Sequence, residues 1–276
     1  MFIINYGNLT YFMTLIIPVV VLLILFFSFR KRSKKVQKGL ILTLMFINLF
    51  QHLFKAWVWY PVYHGQFDLY NISFCNICAT SIIISPFVFL SKNKYLKDAL
   101  FYIGVMGGLF SMAIPYWYEG KSALEPDFIR FFTCHSILFL TSMLPILFGL
   151  HRPNIKRFWA VGIIYIAYEV LIFADTVIIY YFTKGNDWNL AYTLAYDENQ
   201  FWITHRPIRE DAIGRVFNML KLESLIYDGS RSDIPILYDF YIVYIIITLG
   251  VLLVSLLFFR KEKDEKCVRY VSYYYS

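Results

Sequence analysis

The feature that most constrains this chain is a succession of long apolar segments separated by polar links. A helix needs roughly 20 apolar residues to cross a bilayer, and seven segments reach that length. They are Leu9–Phe29, Leu40–Tyr60, Leu69–Leu90, Leu96–Tyr118, Phe128–Leu150, Phe158–Phe182 and Leu237–Phe259. None shows the strict alternation of a membrane β-strand. The sequence therefore predicts an all-α polytopic membrane protein, a seven-transmembrane-helix bundle forming one membrane domain over residues 1–276.

Composition supports this class, because 59% of the residues are hydrophobic and only 16% are charged. A soluble domain averages about 45–50% apolar and about 25% charged residues. The first segment has no positive residues before it, unlike a cleaved signal peptide. We therefore expect a multi-pass protein of the cell membrane. The formal net charge of +7 gives no basis for nucleic-acid binding, since most of the lysines and arginines fall in alternate links between the apolar segments.

The distribution of lysine and arginine predicts the orientation. These residues concentrate in the first, third and fifth links and in the tail 260–276, whereas residues 61–68 contain none. Cytoplasmic links carry an excess of Lys and Arg, so we expect the N-terminus outside and the C-terminus in the cytoplasm. The sixth link, residues 183–236, is then a long extracytoplasmic loop. Within it, Asp211–Tyr227 has the apolar spacing of an amphipathic helix.

Polar side chains cluster in one half of the predicted bundle. At 1.5 Å per helical residue, Cys78 lies about 13 Å below the outer surface, His135 about 11 Å and His52 about 12 Å. The same stretch of the third segment also carries Cys75 and Asn76. Polar groups inside a membrane are costly and are usually functional. The matched depths predict a single site in the outer half.

Several of these residues also have an ordinary structural interpretation. His52 can simply hydrogen-bond a neighbouring helix, and Lys55 can extend to the interface. Asp175 and Glu169 can act as partners of Lys55 or Arg130.

The cysteines have alternatives of their own. In helices they usually pack as small apolar residues. Cys75 and Cys78, three residues apart, would share one helix face, and Cys134 precedes His135. A metal or redox site is the less favoured interpretation, because no second C-x-x-C completes a ligand set. We therefore expect no metal and no cofactor.

Cys78 and His135 together fit a nucleophile and its base. A nucleophilic thiol needs a base within reach and donors for the oxyanion. His135 would accept the thiol proton, and the thiolate would attack an ester or thioester carbonyl. The supporting residues would be Asn76 or Arg130 as oxyanion donors, with His52 or Asp175 orienting the base.

Three stretches carry a family resemblance. They read F-C-N-I-C-A-T-S around Cys78, S-K-N-K-Y-L-K-D-A-L-F-Y-I-G-V-M-G-G-L up to Gly108, and F-I-R-F-F-T-C-H-S-I-L around His135. They resemble the bacterial YwaF-like integral membrane proteins, which are related to eukaryotic transmembrane protein 164. The resemblance implies a cysteine-dependent acyl-transfer site, with Cys78 as nucleophile and His135 as base. The family usually has a histidine where this chain has Asn76, and its sixth link is shorter.

These observations favour a membrane-embedded lipid acyltransferase or lipid hydrolase whose partner is a membrane lipid. Two alternatives stay open. One is a non-catalytic lipid-binding or scaffold protein, which the departure at Asn76 favours. The other is a small-solute transporter. Two observations argue against it: the inner halves of the segments are apolar, and the sequence has no evident inverted repeat.

Overall fold

The structure is a computed structural model that describes residues 2–55, 65, 69–113, 115 and 118–197. Within these residues the chain forms seven α-helices and no strand beyond an isolated bridge. The helices are α1 Leu9–Phe29, α2 Lys34–Phe54, α3 Ile77–Leu90, α4 Lys94–Ala113, α5 Pro126–Leu147, α6 Phe158–Thr183 and α7 Trp188–Asp197. The predicted span Leu237–Phe259, the helix Asp211–Tyr227 and the basic tail lie outside the described residues.

Four of these helices, α1, α4, α5 and α6, are long and apolar enough to cross a membrane. Helix α1 buries only a narrow stripe, formed by Thr14, Pro18 and Leu22 at four-residue spacing. Large apolar side chains such as Ile16, Leu23 and Phe27 are exposed on its remaining surface. An apolar surface of this extent is unfavourable in water and is typical of contact with lipid. The fold is therefore that of a helical membrane protein.

The third segment departs most from the prediction. Instead of a continuous helix over Leu69–Leu90, a 3-10 turn at Tyr70–Ile72 is followed by irregular residues, and α3 begins only at Ile77. The Asn76 side-chain oxygen accepts a hydrogen bond from the Ala79 amide at 2.7 Å. This N-cap satisfies a first-turn amide that a continuous helix would bond internally. The prediction of one continuous helix over Leu69–Leu90 was wrong, because hydropathy does not reveal that the Asn76 side chain starts a helix at Ile77.

Helix α7 is a second departure, since it lies at the start of the predicted loop 183–236. Its Asp187 cap accepts a hydrogen bond from the Asn189 amide at 2.8 Å. Ala191 and Ala195 then bury their methyl groups against α6. The indole of Trp188 stacks on Tyr181 with 4.0 Å between ring centroids. The first part of this link is thus a short helix packed on the bundle.

Short links between successive helices give the bundle two different ends. The basic end contains residues 30–38, 91–98 and 148–157, which hold most of the lysines and arginines of the described chain. Gln37 closes α1 there by donating to the Phe29 carbonyl at 3.0 Å. Lys34 donates to the carbonyl of Phe148. The bond from Lys34 joins the first of these links to the last.

A buried carboxylate organises the basic end. Asp98 has no exposed surface and accepts hydrogen bonds from His151 Nε2 at 2.6 Å and from Arg157 Nε at 2.5 Å. The bonds to Asp98 raise the pKa of the Arg157 guanidinium. This network ties the start of α4 to the link before α6.

Helix α4 is the centre of the bundle and packs against α3, α5 and α6. Its contact with α5 is the most extensive between any two described helices. Glycines allow this approach: a Cβ atom at Gly104 would lie 2.0 Å from Ser142 Oγ. Small residues on one face let two helices come into backbone contact. The close packing brings α4 against α5, and α4 also contacts α3; α3 and α5 hold the predicted site residues Cys78 and His135.

Candidate functional site

Cys78 is the second residue of α3, at the end of the bundle opposite the basic end. The first amides of a helix have no intrahelical acceptor and carry partial positive charge. The Cys78 side chain is half-buried and packs against the cluster of Ile82, Cys134 and Leu138. The Cys78 thiol therefore lies beside backbone amides that have no intrahelical acceptor.

Cys75 is not on the same helix face, in contrast to the prediction, because it precedes the N-cap. Its side chain is buried, and its carbonyl accepts a hydrogen bond from the Tyr70 hydroxyl at 3.4 Å. The two thiols are therefore in different environments. Only Cys78 lies in the first turn of a helix.

His52 and Asp175 hold the irregular segment before α3. His52 Nε2 donates to the carbonyl oxygens of Ile72 at 3.0 Å and Ser73 at 3.2 Å. Asp175 Oδ2 accepts from the Phe74 amide at 3.1 Å. The backbone groups of this irregular segment have no helical hydrogen-bond partners, and a buried backbone group without a partner is costly. The bonds from His52 and Asp175 satisfy them. Both residues thus support the segment that positions Cys78, and neither hydrogen-bonds His135.

Ser111 is the hydrogen-bond partner of Cys78 and is not among the site residues predicted from the sequence. Its Oγ lies 3.8 Å from the Cys78 sulfur. On the same helix, a Cβ atom at Gly107 would lie 3.4 Å from that sulfur. Ser111 follows Gly107 by four residues and therefore shares its helix face. The four-residue spacing from Gly107 to Ser111 is the sequence signal that could have identified Ser111 as a neighbour of Cys78.

His135 lies on α5, directly after Cys134, which belongs to the cluster that Cys78 contacts. Its Nδ1 donates to the Phe131 carbonyl at 2.7 Å, and its ring lies 4.3 Å from the Phe131 ring centroid. Because a carbonyl can only accept, Nδ1 carries the proton, and in the neutral ring Nε2 is left as the basic nitrogen. Within the described residues, Cys78 and His135 do not hydrogen-bond each other.

The remaining candidates have environments of their own. Arg130 lies 3.8 Å from Asp127 on the same helix, a partly exposed pair. Lys55, expected to extend to the interface, is 8% exposed, and Glu169 is 7% exposed. Asn76 accepts the cap bond through its side-chain oxygen. No group of three or more His, Cys, Asp or Glu side chains in the described residues is placed to hold a metal ion.

The fold and this arrangement define a class: a helical membrane protein with a half-buried thiol at the start of a 14-residue helix, which is shorter than the roughly 20 residues that span a bilayer. The comparison with protein families makes the assignment more specific. A model of the TMEM164 family matches residues 5–208. That range covers most of the chain and all the described helices, so the protein belongs to the TMEM164 family. No curated protein and no solved structure matches the chain.

Proposed function

We propose that this protein transfers or hydrolyses an acyl group of a membrane lipid, with Cys78 as nucleophile and His135 as base. The observation that carries the proposal is the position of Cys78 in the first turn of α3, 3.8 Å from Ser111 Oγ. Membership of the TMEM164 family supports a membrane protein and is compatible with a lipid substrate.

The chemistry follows from the groups around the sulfur. The helix N-terminus and the Ser111 hydroxyl both stabilise a thiolate. The amides of Ile77 and Cys78 lie before the first intrahelical bond, so they can donate to the oxyanion of an attacked carbonyl. Arg130 remains the second candidate donor. The Asn76 oxygen is occupied by the cap, so we assign Asn76 to positioning the first turn.

The reaction takes two balanced steps. In the first, His135 Nε2 accepts the thiol proton, the sulfur forms a bond to the acyl carbonyl, and the ester bond breaks. The leaving alcohol takes the proton from His135, which leaves a thioester on Cys78. In the second, water or the hydroxyl of another lipid attacks the thioester as His135 accepts its proton. The acyl product departs, and the proton returns to the Cys78 sulfur.

The proposal includes a topology. It has seven spans, with the N-terminus outside and the basic end facing the cytoplasm, in accordance with the positive-inside rule. Residues 1–276 form one domain of a cell-membrane protein, and the chain groups with the bacterial YwaF-like branch. The thiol is then in the outer half of the bilayer, and the substrate is a lipid of the outer leaflet.

The test is covalent capture of the acyl group on the full chain in phosphatidylcholine nanodiscs. After incubation with a long-chain p-nitrophenyl ester, intact mass spectrometry is expected to show one added acyl group that hydroxylamine removes. Cys78→Ala and His135→Ala should abolish it. Cys75→Ala and Cys134→Ala are matched controls that should retain it. Acylation that persists in both Cys78→Ala and His135→Ala would rule out the proposed mechanism.

A non-catalytic lipid-binding protein is the second candidate. It is favoured by Asn76 at the family's histidine position and by the Cys78 hydrogen bond going to Ser111 instead of His135. In that case lipid raises the unfolding temperature of the protein, and no acyl group is found on Cys78. Because the same preparation yields both measurements, the two functions are distinguished in one experiment.

A further inference from the structure

The basic end contains a cavity of about 490 Å³ between α2, α5 and the α3–α4 turn. Its volume falls within the range of about 300–1,000 Å³ that is typical of small-molecule and lipid sites. Lys97, on its wall, precedes Ser111 by fourteen residues on α4, or about 21 Å at 1.5 Å per residue. The cavity is therefore remote from Cys78, and an inference about it does not rest on the proposed catalysis.

Four lysines from three parts of the chain surround the cavity: Lys38 from α2, Lys92 from the turn, and Lys94 and Lys97 from α4. None has a carboxylate within ion-pair distance among the described residues. Lys38 and Lys97 repel each other. The nearby Asp98 does not neutralise them, because its oxygens are bonded to His151 and Arg157. The cavity is thus a concentration of uncompensated positive charge.

The wall of the cavity on α4 and α5 is mostly apolar, with Thr141 and Ser142 as its polar members. Its apolar part is formed by Leu100 and Phe101 of α4 together with Pro145, Ile146 and Leu150 from α5 and the residues after it. Lys97 lies between the two regions, with its ammonium 6.0 Å from the Phe89 ring centroid. A lysine over an aromatic face keeps its charge available for an anion while its stem covers apolar surface. The cavity therefore has a cationic rim and an apolar interior.

We propose that this cavity binds an anionic glycerophospholipid, with its phosphate on the lysine rim and part of an acyl chain against the apolar wall. A small soluble phosphate would satisfy only the rim and would leave the apolar wall in water, which is unfavourable. Basic pockets between membrane helices on the cytoplasmic side recognise such headgroups. The lipid comes from the leaflet at the basic end, so it is distinct from the proposed substrate.

The experiment titrates phosphatidylglycerol onto the purified full chain in a neutral detergent, with phosphatidylcholine as the reference lipid, and counts bound lipid by native mass spectrometry. The test variant is Lys38→Gln with Lys97→Gln. The control is Lys31→Gln with Lys35→Gln, which removes the same charge from exposed positions of the same end outside the cavity. A second test variant, Lys92→Gln with Lys94→Gln, changes only exposed side chains and preserves the packing of Lys97.

Each lysine near an anionic headgroup contributes about a five-fold factor in affinity, so each test pair should weaken phosphatidylglycerol binding about thirty-fold. The control pair should weaken it less than about two-fold. Phosphatidylcholine should bind more weakly than phosphatidylglycerol, and inorganic phosphate at the same concentration should not displace the lipid. Equal losses in the test and control variants, or no preference for phosphatidylglycerol, would overturn the site. Displacement by inorganic phosphate would overturn the lipid assignment in favour of a soluble anion.

Discussion

Gly108 of α4 lies directly against the backbone of His135 on α5. A Cβ atom built on Gly108 would be 2.9 Å from the His135 carbonyl oxygen and 2.9 Å from the Phe139 Cβ. The two helices therefore touch at the residue that we propose as the base. Gly107, the neighbour of Gly108, faces Cys78 instead. One glycine pair thus sets the distances from α4 to both proposed catalytic residues.

Gly108→Ala is expected to separate α4 from α5. Inserting a methyl group into a closely packed interior costs about 1–3 kcal/mol, and His135 would move with its backbone. Thermal unfolding in detergent should show a lower midpoint, and acylation of Cys78 should slow. Gly39→Ala is the control, because a Cβ atom there meets nothing within 4 Å and alanine is the better helix former. Equal stability of the two variants would contradict close contact at Gly108.

Asp98→Asn is expected to destabilise the basic end strongly. The carboxylate is fully buried and bonded to His151 and Arg157. Removing one partner of a buried charged network costs about 3–5 kcal/mol. Asp127→Asn is the control, because its 3.8 Å pair with Arg130 is partly exposed and should be worth less than about 1 kcal/mol. The free energies of unfolding of the two variants in detergent provide the comparison.

Asn76→Ala should destabilise the start of α3. Loss of the side-chain cap on the Ala79 amide costs about 1 kcal/mol, and fraying of the first turn would displace Cys78. Asn76→Asp keeps a capping oxygen and should retain most of the stability. The measurements are the unfolding midpoint and the rate at which a thiol-reactive lipid probe modifies Cys78. A normal modification rate in Asn76→Ala would show that the cap does not position the thiol.

Ser111→Ala should lower the reactivity of Cys78. A hydrogen bond to a charged group contributes about 1.5–3 kcal/mol, so loss of the hydroxyl should slow modification of Cys78 about ten-fold or more. Ser111→Thr keeps the hydroxyl and should react at nearly the original rate. Ser136→Ala is the matched control, since its hydroxyl bonds Met112 instead of Cys78. The rates are measured in a Cys75→Ala, Cys134→Ala, Cys267→Ala background, so that the label reports one of the four cysteines of the chain.

Much of the helical architecture could be predicted from the sequence. The first segment agrees with α1 at both ends, and the sixth agrees with α6 to within one residue. Long apolar segments form helices in lipid because every backbone amide must find an acceptor within its own segment. The positive charges of three links also predicted a common basic end, since charge distribution can be read without knowledge of contacts. These properties are local, so the order of residues is sufficient.

The tertiary structure decided which residues meet. Asn76 interrupts the third segment because its side chain caps an amide, and His52 and Asp175 supply bonds to the segment before it from two other helices. The partnership of Cys78 with Ser111 depends on how closely α3 and α4 approach, which the glycines permit. The cavity exists only because separate links bring their lysines together around an apolar wall. Such contacts depend on how helices that are distant in the chain are placed relative to one another. Hydropathy and residue spacing give no information about that placement.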